Sequence, residues 1–268
     1  MKILFFGDIV GRTGRQAIAS VLPRLRERYA PDLVIANAEN AAHGSGISQR
    51  TATALFDAGC DILTGGNHIF DKKDQSEEAF RNFPEKIVRP ANFSDSYPGK
   101  GWVSTSVKKK EVVIANFNAQ VFMERQFRGE IASPFQSFDK LLHDWPKSAI
   151  IIVDFHSEAT SEKRGFGLHA DGRAAAVLGT HTHVQTADAQ VLPGGTAYIS
   201  DVGMVGAANS ILGVEPAGPL ARFMGDEKAK FEIMETKEAE VGYVIIEVND
   251  DTLKATSIES RLERVSLS

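Results

Sequence analysis

The chain has 268 residues and a formal net charge of −5, with 43% hydrophobic and 24% charged residues; a globular chain of this make-up can bury a large core without a disulfide or a structural metal. The acidic balance argues against a general nucleic-acid binder, which needs a basic face along the phosphates. It leaves room for a small phosphorylated ligand, because bound divalent ions bring positive charge of their own.

MKILFFGD opens a strand over Lys2–Phe6 that halts at Gly7. It lacks the basic and apolar regions of a secretion signal, so the cytoplasm is the expected compartment. Arg15–Arg28 has helical spacing, with Ile18, Val21, Leu22 and Leu25 on one face and Pro23 as a point of kinking or early breakage. Strands at Leu33–Ala36 and Ile62–Thr64 flank a helix at Ser48–Ala58, with Ser48 as its N-cap and Gly59 just past its end. This β-α-β-α-β start implies a parallel sheet with right-handed crossovers. Cys60 reads as a small buried residue, and as a lone cysteine it excludes an intrachain disulfide and a thiolate zinc cluster. Ile87–Arg89 reads as a short strand, and Trp102–Val107 with Glu111–Asn116 as a hairpin around a solvated turn at Lys108–Lys110. Residues 117–133 resist assignment. Phe135–Asp144 follows as a helix, then apolar strands at Ala149–Asp154, Ala174–Gly179 and Ala197–Ser200. Glu240–Asn249 and Thr252–Arg264 alternate as an antiparallel hairpin. No run approaches the length of a membrane span, and there is no linker or repeat. Residues 1–268 are therefore expected to form one α/β domain of two packed mixed sheets with helices outside.

The polar residues fall at one kind of place. Asp8, the pair Glu39–Asn40, the pair Asn67–His68, His156, and the pair His181 and His183 each follow a predicted strand. Ligands of open α/β sheets bind beyond the carboxyl ends of the strands, so these segments converge on one edge. Singly, each has a plainer reading: Asp8 as a helix N-cap or turn residue, Glu39–Asn40 and Asn67–His68 as turns, His156 as a hydrogen-bonded core residue. Together, two carboxylates, two carboxamides and three imidazoles suit manganese, iron, zinc or cobalt, and exceed what one ion needs. Two ions about 3.5–4 Å apart, sharing a carboxylate, would use them all. Glu39, central in strand order, is the expected bridge. Gly7, Gly11, Gly65, Gly66 and Gly179 flank these segments and permit tight turns. In an extended segment His181 and His183, two apart, would face the same side. His43, His143 and His169 read as surface or structural.

Gly7-Asp8, Gly66-Asn67-His68 and Gly179-Thr180-His181-Thr182-His183 resemble the motif blocks of the calcineurin-like metallophosphoesterases. The blocks GDIVGRTGR, NAENAAHGSGIS, TGGNHIFD, VRPANF, DFHSEATSEK, GTHTHVQTAD and GTAYISDVGM are more similar to one branch, the YmdB family of bacterial cyclic-nucleotide phosphodiesterases. Two departures from the wider superfamily, Asp8-Ile9-Val10 in place of Asp-x-His and Glu39-Asn40 in place of a bridging Asp, resemble that branch. The resemblance implies a metallophosphoesterase-like α-β-β-α sandwich. It implies one divalent ion on Asp8, Glu39, Asn40 and His183, a second on Glu39, Asn67, His156 and His181, and His68 as proton donor. Iron or manganese are the implied ions. His43 and the stretch 116–122 are less typical of the branch, which bears on substrate contacts.

The expected chemistry is hydrolysis of a small phosphodiester, such as a 2′,3′-cyclic nucleotide, without a stable nucleic-acid complex or a membrane. The alternatives are a phosphomonoesterase or nuclease on the same site, or a metal- and nucleotide-binding regulator that does not turn over. Arg89 and Asn92 read either as contacts to phosphate or base or, for Arg89, as a structural ion pair.

Overall fold

The computed structural model describes residues 1–123 and 131–267. Among these, strands β1 (Lys2–Phe6), β2 (Asp8–Ile9), β3 (Leu33–Asn37), β4 (Ile62–Thr64), β5 (Ile87–Val88), β12 (Met204–Ala207), β13 (Glu238–Val248) and β14 (Ala255–Ser266) make the first sheet. Its order is β2-β12-β13-β1-β3-β4-β5, with β14 pairing off this path with β13. Strands β1, β3, β4 and β5 run parallel, and β13 runs antiparallel to β1. The second sheet takes β6 (Trp102–Val107), β7 (Lys110–Asn118), β8 (Ile150–His156), β9 (Ala176–Thr180), β10 (Gln190–Val191) and β11 (Ala197–Ile199), in the order β10-β11-β9-β8-β7-β6. Here β7, β8, β9 and β11 are parallel and the two edge strands antiparallel.

The apolar strands have two faces to bury, and both sheets bury both. Between the sheets, Phe5, Ile35 and Ile62 of the first pack with Ile114, Ile152, Leu178 and Ile199 of the second. Each such side chain, fully buried, contributes roughly 1.5–3 kcal/mol. The outer face of the first sheet packs α1 (Gly11–Tyr29), α2 (Gln49–Asp57) and α3 (Lys73–Asn82) through Ile18, Leu55 and Phe80. The outer face of the second packs α4 (Pro134–Asp144) and α5 (Thr160–Ala170) through Phe138 and Phe166. A further helix, α6 (Ala217–Phe223), lies on the excursion between β12 and β13. The architecture is the expected α-β-β-α sandwich of two mixed sheets.

Most predicted elements form within a few residues of their expected ends. Helix α1 begins four residues early and runs through Pro23 without ending. Ser48 caps α2 as expected, in a reciprocal pair with Thr51. Lys108 and Lys109 take left-handed conformations at the hairpin turn, and Lys108 reaches Asp32 at 2.6 Å. Helices α3, α5 and α6 and the short strands β2, β10 and β12 have no counterpart in the expected elements. In α3 Ser76, Ala79 and Phe80 are buried and seven residues are not, too narrow a stripe for periodicity to reveal. In α5 the buried positions are Glu162, Lys163, Phe166, Gly167 and Ala170, so polar and small residues occupy the core face. Of the stretch 117–133, residues 124–130 lie outside the described residues.

Two parallel sets of strands therefore end at the same edge. Near that edge Asp154, two residues before the end of β8, accepts from Asn37 Nδ2 at 2.9 Å and Thr64 Oγ1 at 2.5 Å, both from the first sheet, and from Thr180 Oγ1 of the second at 2.7 Å. All four residues are completely buried. Burial pushes the Asp154 carboxyl up to about 6, against the pull of His156 and the hydroxyls. The two sheets are thus tied together by a polar network immediately beneath the predicted site.

Candidate metal centre

Asp8 sits on β2, Glu39 and Asn40 just beyond β3, Asn67 beyond β4, and His156 at the end of β8. His181 and His183 follow β9. The structure brings all seven together around the sandwich edge. His156 Nε2 is the focus of one group: Asn67 Oδ1 lies at 2.7 Å, His181 Nδ1 at 3.0 Å and Glu39 Oε1 at 3.1 Å. A second group is looser: Asn40 Nδ2 stands 3.2 Å from both Glu39 Oε1 and His183 Nε2, and Asp8 Oδ1 is 3.8 Å from His183 Nε2. These two groups have the membership of the two ligand sets implied by the family resemblance, with Glu39 in both.

Three acceptor-type atoms around a single ring nitrogen exceed what one N–H can satisfy. Ligand atoms about 2.1 Å from a shared ion stand roughly 3.0–3.4 Å apart, the spacing of His181 Nδ1 and Glu39 Oε1 from His156 Nε2. Asp8 Oδ1 is fully buried with no hydrogen-bond partner, while Oδ2 accepts the His181 N–H at 3.0 Å. A buried carboxylate oxygen without a partner is costly, and a cation is the group that removes the cost. The residues present therefore fit divalent ions.

Electrostatics agree. Burial raises the Asp8 carboxyl above its ordinary range despite the pull of His183 and His156. For Glu39, the charge and hydrogen bond of His156, with His68 and His181, overcome burial and hold the carboxyl at about 2. Burial alone would lower His156, but Glu39, Asp8 and Asp154 raise it to about 9. His181, buried beside that positive ring, falls to about 3 and so keeps a free lone pair.

The outer nitrogens are held too. His181 Nε2 meets Glu158 Oε2 at 3.1 Å, His183 Nδ1 meets the Leu212 carbonyl at 3.1 Å, and His156 Nδ1 meets Thr180 Oγ1 at 2.9 Å. Such contacts set ring orientation and leave the inner nitrogen for an ion. His181 and His183 do not reach the site through an extended segment, as their spacing suggested. Both have left-handed backbones, φ 102° and 62°, because the chain must turn sharply out of β9.

His68 points differently. Its backbone N–H donates to Glu39 Oε2 at 2.9 Å, and its Nδ1 pairs with Asp71 Oδ2 at 2.7 Å, leaving Nε2 outside that pair. Burial lowers it, but the Asp71 hydrogen bond and the Glu39 charge prevail and raise it. His68 lines a cleft of ≈310 Å³ with Glu39, Asn40, His181 and His183. Val10, Leu212, Val214 and Ile233 form an apolar wall of the same cleft. The sequence pattern does not single out Asp154 and Glu158, whose roles depend on partners distant in the chain, or Asp71, which looks like an ordinary turn acid until the His68 ring is seen against it. Arg89 is buried, donates to the Pro90 carbonyl and stands 3.9 Å from Asp95, and Asn92 ties Asn118 to Ala132. His43 is exposed, His143 lies on the outer side of α4 away from the site, and His169 pairs with Asp139.

Gly66 gives a direct test of this packing. A Cβ there would lie 2.3 Å from Glu39 Oε2 and 2.5 Å from His156 Cδ2. Gly66→Ala is expected to displace both side chains and leave a protein that melts cooperatively but has lost most of its bound metal. Full metal content by elemental analysis would contradict the geometry.

A family model described as YmdB-like protein matches residues 4–261. The chain is 42% identical over 260 residues to the 2′,3′-cyclic-nucleotide 2′-phosphodiesterase of Bacillus subtilis strain 168, covering 97% of this chain and 96% of that one. It is similar to the crystal structure of a phosphatase from Mycoplasma pneumoniae, with TM-score 0.92 and 32% identity over 99% of this chain and 94% of that one. A 5′-nucleotidase precursor from Thermus thermophilus matches with TM-score 0.56 at 12% identity, over all of this chain and 54% of that one, which shows the shared fold alone.

Proposed function

The chain belongs to the YmdB-like family, and on that premise we propose that it is a metal-dependent phosphodiesterase with a dinuclear site that hydrolyses small phosphodiesters, 2′,3′-cyclic nucleotides above all. The observation that carries this reading is the convergence of buried Asp8, Glu39, Asn40, Asn67 and His156 with the half-buried His181 and His183, with Asp8 Oδ1 lacking a hydrogen-bond partner. Asp8, Glu39, Asn40 and His183 would hold one ion; Glu39, Asn67, His156 and His181 would hold the other. A donor set of carboxylate, carboxamide and imidazole without thiolate suits iron or manganese. Both sheets supply ligands and share one core, which supports reading residues 1–268 as one domain. No helix among the described residues is long and apolar enough to cross a membrane, and the lone buried Cys60, its thiol pushed up to about 12 by burial, suits a reducing cytoplasm.

Divalent ions held by these seven residues would supply positive charge for the phosphoryl oxygens and would acidify a water toward neutral pH. The protein supplies the rest. Glu158, Leu212 and Thr180 orient the three imidazoles. Asp71 holds His68 so that the ring faces the cleft as a general acid for the leaving oxygen, which develops negative charge as its bond to phosphorus breaks. The volume of the cleft suits one nucleotide, and its apolar wall suits the part of the substrate away from phosphate.

A substrate panel with added manganese tests the reading. A 2′,3′-cyclic nucleotide is expected to be hydrolysed faster than duplex DNA or a phosphopeptide, since the chain has net charge −5 and offers a long polyanion little attraction. Strong cleavage of long DNA with no activity on small diesters would sink it. Saturable nucleotide binding without product would point instead to a regulator.

A further inference from the structure

The geometry points to the buried Lys163–Asp201 ion pair as a clamp that presets three of the proposed ligands, Asp8, His181 and His183, before any ion is bound. The inference rests on the reading of those three residues as ligands. Both members of the pair are about 1% exposed. Lys163 Nζ donates to Asp201 Oδ2 at 2.8 Å and to the Thr180 carbonyl at 2.6 Å. Asp201 Oδ2 also accepts the Thr182 N–H at 3.0 Å. The pair therefore grips the backbone on both sides of His181 and immediately before His183. Those two histidines are ones with left-handed backbones, a conformation that is strained for a non-glycine residue and persists where its surroundings enforce it.

The same carboxylate reaches the other sheet. Asp201 Oδ1 accepts the Gly203 N–H at 2.8 Å, and the Gly203 carbonyl accepts the Asp8 N–H at 3.1 Å. Residues 200–203 are the crossing from β11 in the second sheet to β12 in the first. One buried pair thus holds the ligand loop of one sheet and the ligand strand of the other in mutual register. A buried ion pair is weak as a source of stability, because desolvation offsets its attraction, so a role in specifying geometry accounts for it better.

Manganese is titrated calorimetrically into chelator-treated wild type, Lys163→Met, Asp201→Ala and the double variant, with Phe138→Leu in the remote core as a control for thermal destabilisation. Each single variant is expected to weaken binding about 10–100-fold, the usual worth of residues that orient ligands. The double variant should be no weaker than the worse single, because the two side chains act as a unit. The control should melt earlier and bind manganese normally. Variants that also melt earlier yet bind two ions with wild-type affinity overturn the proposal. Hydrogen exchange supplies a readout that needs no variant: the Thr182 amide should be protected in wild type with and without metal. Rapid exchange at Thr182 in wild type overturns the clamp even if every variant fails to fold. A wild type that takes up no manganese defeats the metal reading instead, while Thr182 exchange still decides whether the clamp exists.

Discussion

Glu39→Gln is expected to empty both metal positions at once and lower kcat/KM by at least about 10³-fold, the rate equivalent of roughly 4 kcal/mol of lost electrostatic stabilisation. Glu39 is completely buried, and its oxygens meet His156, Asn40 and the His68 N–H. The substitution keeps the volume, removes the charge and leaves both donor groups without their shared member. Asp8→Asn alters the second group alone, so it should mainly weaken one ion. Elemental analysis separates these outcomes. If Glu39→Gln retains one tightly held ion, the bridge assignment is wrong; if it retains both, Glu39 is not a ligand at all.

His68→Ala should leave the metals in place and still lower kcat by roughly 10²–10⁴-fold on a diester with an alkyl leaving group, the usual worth of general acid catalysis. His68 touches Glu39 through its backbone N–H, which alanine retains, and its ring bonds to Asp71 rather than to a ligand side chain. The loss should shrink on a nitrophenyl diester, whose leaving group is stable without a proton. Equal losses on both substrates with metal content reduced would make His68 a ligand. Equal losses with metals retained would assign it to positioning the phosphoryl group.

The contrast between His68 and its neighbours shows what local sequence can carry. All seven proposed ligands were legible as candidates because each follows an apolar strand, and strand ends in a parallel sheet face one way. Asp71 was not legible: three residues after His68, in a polar stretch, it looks like any turn acid until the ring is seen against it. Glu158 likewise gains meaning from His181, more than twenty residues away. Asp154 was read as the end of a strand, and its pairing with Asn37 and Thr64 crosses between sheets.

The sequence by itself determined the layered α/β class, the longer strands and the identity of the candidate ligands, because hydrophobic periodicity and the residues that end each strand are local properties of the chain. The tertiary structure decided the distances at which those ligands meet, which nitrogen of each imidazole faces inward, and that His181 and His183 turn through left-handed conformations. It also placed α3 and α5, whose buried faces are too narrow or too polar to announce themselves, and brought Lys163 under the loop that carries two histidines. These outcomes depend on contacts between residues distant in the chain, such as Asp8 with His181 and Lys163 with Asp201, and their energies exist only once the two sheets have closed on each other.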